Sequence, residues 1–380
     1  MTWAWIPLTV TVSPPSSHNT ITYVGNNTIS ALDPCPARTC PYSAIQGQAG
    51  IMAYSGMAFT AELGAQGSLI IAGGGDADYW GNEVYRYDFA SATFTRLNSP
   101  STALDGTAGE TDPSFDQVHC EFGDGTPAVP HTYSQLQVLP GTNEVFVPIG
   151  SSCYGRGSHS MTGWSHSCNL TTGVWRRSST NAATTSPFAV GTQWSVYDTN
   201  RSRVWTGGGT TTNLAYYTPG TGAWTDVVPI ATASDPVALY YPAGDLIVTA
   251  GFPYSTSSPL TLQAINCADP TAGVTTLTLT GATIPTASTF DTSGWGFDWC
   301  PTTNAAYCFP GDPDRITVYK ITPPATNPLT NPWTLSKITL PSTVPLGQAK
   351  GVYGRWKWCS TIGKFAYLSR TTNQVLLWNP

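Results

Sequence analysis

The 380-residue sequence contains no apolar run that approaches the roughly 18 residues of a membrane-spanning helix. Charged residues make up only 10% of it, and its 16 lysines and arginines are scattered without any run. We therefore expect no membrane span and no nucleic-acid ligand, since the latter requires a basic patch. No long stretch has helical periodicity, so helices should be rare. Residues 1–7 also lack the basic start and the cleavage site of a signal peptide.

Closely spaced pairs of Cys-x-x-Cys steps are absent too, which disfavours a structural zinc site, and we expect no metal there. The nine cysteines are nevertheless many for a reducing compartment. We predict disulfides, with free thiols as the alternative, in the pairs Cys35 with Cys40, Cys153 with Cys168, and Cys300 with Cys308. Together with the low charge, these bridges favour an extracellular or virion location.

A phrase of two apolar strands joined by a polar turn recurs six times between Tyr54 and Arg370, most clearly at 132–150 and 193–209. A hairpin cannot bury its own apolar face, so such repetition predicts blades packed around an axis. We predict an all-β, six-bladed propeller that occupies residues 1–380 as one domain, with seven blades as the alternative. Aromatic residues that close the rim of each blade should pack between blades, at Phe94, Trp175, Trp224 and Trp333.

The two ends of the chain complement each other. The last repeat stops at Leu376 to Pro380, before its closing strand, while the chain begins with Thr2-Trp-Ala-Trp-Ile-Pro-Leu, which has the composition of such a strand. We predict that the strand within residues 1–13 completes the carboxy-terminal blade, which leaves no free sheet edge in the ring.

The segment 98–130 is the longest departure from the repeat, and loops on a rigid scaffold usually carry recognition. Its acidic residues are either solvated or bind calcium, the one cofactor that we consider: Asp112, Asp116, Glu121 and Asp124. Nearby aromatic rings could stack on sugars or pack at the rim, namely Tyr79, Trp80 and Tyr154. The side chains of Asp76, Asp78 and Asn82 could bind sugar hydroxyls or close the turn.

Two motifs carry a family resemblance. The segment Gly73 to Asp88, with its Gly-Gly-Gly-Asp start and Tyr-Asp end, and the Pro130-His-Thr-Tyr133 step resemble kelch-type propellers. This class includes the galactose oxidase core, and the likeness extends to a bacterial and tailed-phage group akin to ulvan lyases. The lyase resemblance implies β-elimination at a uronic acid, with catalytic roles for His131, Tyr133, Arg156 and His159. The alternative is that His131 is hydrogen-bonded within its blade and that the His159 loop is solvated.

The residues therefore leave two functions open. The leading hypothesis is an extracellular or virion-associated propeller that binds a surface, either a host glycan or neighbouring virion or cell-surface proteins. The alternative is a polysaccharide lyase acting on a uronic-acid-containing glycan. A copper-radical oxidase is disfavoured because the five histidines and Cys153 beside Tyr154 provide no convincing ligand set.

Overall fold

The computed structural model describes residues 18–34, 52, 54–73, 81–101, 121–127, 132–148, 152–153, 159–160, 165–180, 194–208, 213–229, 237–251, 259–283, 294–311, 315–345 and 351–380. These residues form six antiparallel sheets in a ring, as predicted for a six-bladed β-propeller. Strand β1, Thr20–Val24, comes first in the chain but belongs to the sixth blade.

The first three blades are four-stranded antiparallel meanders. Blade one consists of β2 to β5: Gly56–Thr60, Ser68–Ala72, Val84–Asp88 and Thr93–Arg96. Blade two consists of β6, β7, β10 and β11: Gln137–Leu139, Glu144–Val147, His166–Asn169 and Trp175–Arg177, with the small ribbon of β8 and β9, Ser152–Cys153 and His159–Ser160, inserted after β7. Blade three consists of β12 to β15: Trp194–Asp198, Arg203–Gly207, Asn213–Thr218 and Ala223–Pro229.

The last three blades repeat this order with one addition. Blade four consists of β16 to β19: Val237–Tyr241, Leu246–Gly251, Thr261–Asn266 and Val274–Leu277. Blade five consists of β20 to β24: Leu279–Gly281, Gly296–Cys300, Ala305–Phe309, Thr317–Thr322 and Trp333–Thr339. Strand β20 pairs in parallel with β24, on the outer edge of blade five. The chain that leaves blade four therefore adds a fifth strand to this sheet before it enters the first strand of blade five. Blade six consists of β25 to β27 with β1: Trp356–Cys359, Lys364–Tyr367 and Val375–Asn379.

The blades are joined by apolar packing. Each of six hydrophobic clusters lies between two neighbouring blades, and each first strand contacts the first strands of both neighbours. The four rim aromatics predicted from the sequence all lie in these inter-blade clusters: Phe94, Trp175, Trp224 and Trp333. Burying such large rings contributes about 1.5–3 kcal/mol each, so the interfaces hold the ring together.

The ring is closed by an amino-terminal strand. Thr20–Val24 pairs antiparallel with Val375–Asn379 and fills the outermost position of blade six. The segment 1–13, for which we predicted this role, lies outside the described residues. Closure of this kind lets the two ends of the chain stabilise the same sheet.

Short connections dominate one face of the ring. In blades two to six, the turn between the first and second strands ends in a residue with left-handed φ: Asn143 (56°), Ser202 (51°), Asp245 (52°), Asn304 (48°) and Gly363 (62°). Asn and Asp tolerate this conformation better than most residues, which explains their recurrence. The connections between blades, including 98–130, leave from the opposite face because the strands alternate in direction.

Helical structure is sparse, as expected. The described residues contain four short 3-10 helices, at Ile29–Leu32, Pro242–Gly244, Pro270–Ala272 and Tyr353–Arg355. None of the helices in the part of the chain that the structure describes is long and apolar enough to cross a membrane.

Two of the predicted disulfides are wrong. Cys300 lies opposite Ala305 and Cys308 lies opposite Phe297, so the two sulfurs point to opposite faces of blade five and into different clusters. Cys168 is likewise a buried free thiol, so it is not joined to Cys153. The remaining predicted pair, Cys35 and Cys40, lies outside the described residues. Two of the three bridges on which the expected extracellular or virion location rests are thus absent, and that location stays a prediction.

Candidate functional site

The channel along the ring axis contains a pocket of about 220 Å³. It is lined by the first strands of blades one, two, three, five and six, at Ala58, Phe59, Leu136, Gln137, Val138, Pro140, Tyr197, Asp298, Lys357 and Trp358. They span most of the length of these strands, from Leu136 and Gln137 at the start of β6 to Pro140, an exposed residue of the turn that follows it. The pocket therefore lies alongside the first strands, and Pro140 brings one edge of it to the short-turn face.

Three tyrosines, here termed the tyrosine group, cluster where three of the first strands begin. Tyr54, Tyr133 and Tyr353 precede the first strands of blades one, two and six, and their ring centroids lie 5.0–6.1 Å apart. All three have positive φ, at 55°, 39° and 47°, which is uncommon for bulky residues. Backbone hydrogen bonds hold them there, from Tyr133 N to Tyr54 O (2.7 Å) and from Gly354 N to Tyr133 O (3.1 Å). The tyrosine group therefore lies on the side of the pocket from which the first strands begin.

Asp298 and Lys357 supply opposite charges on the pocket wall. The Asp298 carboxylate is fixed by two backbone groups, since Trp299 N donates to Oδ1 (2.9 Å) and Trp358 N donates to Oδ2 (2.8 Å). Lys357 Nζ lies 3.9 Å from Asp298 Oδ2, which is beyond hydrogen-bond distance. Their side chains are 20% and 18% exposed. The two side chains are thus partly buried, and the Lys357 ammonium and the Asp298 carboxylate can still form hydrogen bonds with a ligand.

The remaining lining combines aromatic and polar groups. Trp358 is 8% exposed, and its indole Nε1 makes no hydrogen bond within the described residues. Gln137 is oriented by donation from its Nε2 to Ser195 O (2.9 Å), which leaves its carbonyl oxygen as an acceptor. Phe59 and Tyr197 are half-buried rings. Apolar walls with a few placed polar groups are typical of small-molecule sites.

The residues predicted for catalysis are only partly described. Tyr133 is 6% exposed, and its ring packs in the tyrosine group rather than on the pocket wall. The backbone of His159 lies in β9, but its side chain is not described. His131 and Arg156 lie outside the described residues. The same holds for five of the predicted ligand-binding residues, Asp76, Asp78, Tyr79, Trp80 and Tyr154, so their roles stay predictions.

The contacts of Asn82 favour the structural alternative considered for it, closing a turn, over binding a sugar hydroxyl. Its side chain is 1% exposed, and its amide joins both described ends of the 98–130 segment. Asn82 Nδ2 donates to Thr126 Oγ1 (2.9 Å) and Pro127 O (3.0 Å), and Oδ1 accepts from Ser101 N (2.9 Å). Because both Nδ2 donors and one acceptor position are used, the amide anchors the segment, and a ligand contact by Asn82 stays a prediction.

The carboxylates of Glu121 and Asp124 also bond to other groups of the protein. His166 Nε2 lies 2.7 Å from Glu121 Oε1, and Arg177 forms a two-pronged ion pair with the same carboxylate. Burial alone would raise the pKa of Glu121, but hydrogen bonds from Arg177 and His166 lower it to about 2. Asp124 accepts from Ser101 Oγ (2.5 Å) and from Thr126. These contacts disfavour the calcium role considered for both residues; Asp112 and Asp116 lie outside the described residues.

One group of potential metal ligands, Asp198, Asp245 and Cys267, lies between blades three and four. Arg201 fills the cation position, since its Nη1 donates to Asp198 Oδ2 (3.1 Å) and its Nη2 to Asp245 Oδ2 (2.6 Å). Burial and then the charges of both carboxylates raise the pKa of the Cys267 thiol to about 12, which disfavours the thiolate that binds metals. The three charged residues Asp198, Arg201 and Asp245, here termed the blade clasp, fit a structural role rather than a metal site.

Sequence reasoning missed the axial pocket. Its charged residues lie in Phe-Asp-Trp-Cys and Trp-Lys-Trp-Cys, the equivalent first strands of blades five and six. A charge flanked by aromatics at the same position of two repeats was the available signal, because first strands line the axis of a propeller.

Comparisons with known proteins agree on the fold. No protein-family model matches the sequence, and no curated protein matches it. Hydrazine synthase of Kuenenia stuttgartiensis is similar in structure, with a TM-score of 0.50 and 11% identity over 86% of this chain and 83% of that chain. A structural-genomics protein of unknown function from Bacteroides thetaiotaomicron VPI-5482 has a TM-score of 0.50 and 10% identity over 94% and 74% of the two chains. At such identities the likeness shows the propeller fold alone, and the resemblance to kelch-type proteins and ulvan lyases stays a prediction.

Proposed function

We propose that this protein is a surface-binding propeller that recognises a glycan through its axial pocket, in an extracellular or virion setting. The observation that carries the proposal is the pocket lining, where Phe59, Tyr197 and Trp358 stand beside the polar groups of Asp298 and Lys357. Sugars present apolar C–H faces and hydroxyl edges, which suit aromatic walls and polar rims respectively. The volume of about 220 Å³ suits a single sugar ring at the end of a chain.

Binding is favoured over the lyase alternative by the placement of these groups. Among the residues predicted for elimination, Tyr133 is the one whose side chain the structure describes, and it is buried within the tyrosine group. A general acid or base must come within hydrogen-bond reach of the substrate. The described geometry therefore supports a pocket that holds a ligand more than one that cleaves it.

The test is an immobilised glycan array followed by affinity measurement on any hit. We expect binding of at least one glycan, with a loss of about tenfold or more in Tyr197→Ala because a stacking ring is removed from the pocket. Tyr23→Ala is the matched control: Tyr23 is 41% exposed, and alanine keeps the backbone pairing of β1 with β27, so the affinity should not change. Absence of binding to every glycan, or equal loss in both variants, would contradict the proposal.

A further inference from the structure

We infer that the axial pocket selects a neutral sugar, whose hydroxyl groups bridge Asp298 and Lys357, over the corresponding uronic acid. This inference rests on the proposed function and adds the class of sugar. The first observation behind this inference is the distance between the two charged groups. Lys357 Nζ lies 3.9 Å from Asp298 Oδ2 and makes no hydrogen bond to the described residues, so its three N–H donors are available.

The Asp298 carboxylate can also accept further hydrogen bonds. Each oxygen of Asp298 accepts one backbone N–H, from Trp299 and Trp358, and a carboxylate has about four lone-pair positions in total. The carboxylate is therefore held in place with acceptor capacity left over. A group that both accepts from Lys357 and donates to Asp298 would satisfy both residues.

A sugar hydroxyl has this dual character, whereas a carboxylate does not. A hydroxyl donates one hydrogen bond and accepts two, but an ionised carboxylate only accepts. A uronate placed between Lys357 and Asp298 would be attracted by one residue and repelled by the other at similar distances, while losing its own hydration. The charge pair consequently gives a uronate no net advantage and gives a neutral sugar two charge-assisted hydrogen bonds.

The rest of the pocket is compatible with one sugar ring. A volume of 220 Å³ corresponds to about seven water molecules at roughly 30 Å³ each. Phe59 and Trp358 line the pocket together with the charge pair and offer apolar surface to C–H groups. The Gln137 carbonyl oxygen adds one more acceptor for a hydroxyl.

The experiment compares galactose with galacturonic acid and glucose with glucuronic acid, which differ only at the oxidised carbon. Affinities for the full-length protein are measured by ligand-observed NMR and competition titration. We expect each neutral sugar to bind about tenfold or more tightly than its acid, the effect of losing a hydrogen bond to a charged group. A uronic acid that binds as tightly as its neutral counterpart overturns the inference but leaves the proposed function standing.

Two variants test the assignment of the charges. Asp298→Asn removes the repelling charge and should shift the ratio of acid to neutral affinity toward the acid by about tenfold. Lys357→Met should weaken the neutral sugars by about tenfold, whereas Lys364→Met, on the second strand of the same blade and outside the pocket lining, should not. An unchanged ratio in Asp298→Asn, with an unchanged melting temperature, overturns the inference. Failure of all four sugars and of the glycan array instead refutes the proposed function itself.

Discussion

The blade clasp offers the sharpest test of how the ring is held together. Arg201 lies in the first turn of blade three and bonds both Asp198 of its own turn and Asp245 of the next blade. Asp198 is fully buried, whereas Arg201 and Asp245 are each 25% exposed. Hydrogen bonds from Arg201 lower the pKa of Asp245, so the ion pair favours the charged carboxylate in the folded protein. We predict that Arg201→Met destabilises the protein substantially.

The magnitude follows from what the substitution leaves behind. Removing one partner of a buried ion pair costs about 3–5 kcal/mol. Asp198 would keep three donors, from Asn200 N, residue 201 N and Trp205 Nε1, which reduces the loss to about 2–3 kcal/mol. For 380 residues, an unfolding entropy of about 2.1 cal/mol/K per residue gives about 0.8 kcal/mol/K. The melting temperature should therefore fall by about 2.5–4 °C.

The control is Arg203→Met on the same hairpin. Arg203 stacks 4.1 Å from the centroid of Tyr216 and contributes about 0.5–1 kcal/mol as a partly exposed cation–π contact. Differential scanning calorimetry of both variants at neutral pH should show a drop of about 1 °C for Arg203→Met. A double-mutant cycle of Arg201→Met with Asp245→Asn should give a coupling energy of at least about 1 kcal/mol. Equal drops in the two arginine variants, or a coupling energy near zero, would refute the reasoning.

Three further predictions test other parts of the structure. Because the pKa of Glu121 falls from 4.5 to about 2 on folding, its stabilisation is present above pH 4.5 and is lost as pH falls toward 2. The melting temperature of Glu121→Gln should therefore lie below that of wild type at neutral pH and converge with it in acid, and a difference that does not change with pH would contradict this assignment. Five buried cysteines are free thiols and should react with a thiol reagent in denaturant without reductant: Cys168, Cys267, Cys300, Cys308 and Cys359. A count of fewer than five reactive thiols per chain would contradict this expectation. Gly56→Ala should destabilise by about 1–3 kcal/mol because the new Cβ would lie 2.7 Å from Tyr133 O, whereas Gly220→Ala, which meets no atom within 4 Å, should be near neutral in chemical denaturation.

The architecture could be predicted because it depends on local repetition. The phrase at 193–209 contains β12 and β13, and their alternating apolar residues face the two neighbouring blades. Left-handed turn residues such as Asn143 and Asn304 mark where each hairpin reverses. Trp224 follows a Gly-rich turn at the rim, which identified it as an inter-blade residue. Each of these features depends on residues of one blade, so the sequence of a single repeat is enough to predict it.

The disulfide between Cys300 and Cys308 could not be judged by spacing alone. Two cysteines that flank a hairpin turn can bond only if the register places them opposite each other on the same face. The four-residue turn at Pro301–Asn304 instead pairs Cys300 with Ala305, which puts Cys308 on the other face. A one-residue change in the turn would have reversed this outcome, and turn length is what the sequence pattern resolves least well.

The axial pocket depends on the closure of the whole ring, so the local signal at Asp298 and Lys357 does not by itself show which side chains share its wall. Phe59 and Trp358 are separated by most of the chain and share a wall only because blade six packs against blade one. That packing depends in turn on Thr20–Val24, which completes the sheet from which Lys357 and Trp358 project. The closing strand therefore supports the pocket as well as the fold, since loss of the β1 to β27 pairing would loosen the blade that supplies two of its lining residues. Binding and ring stability should accordingly be coupled most strongly at blade six.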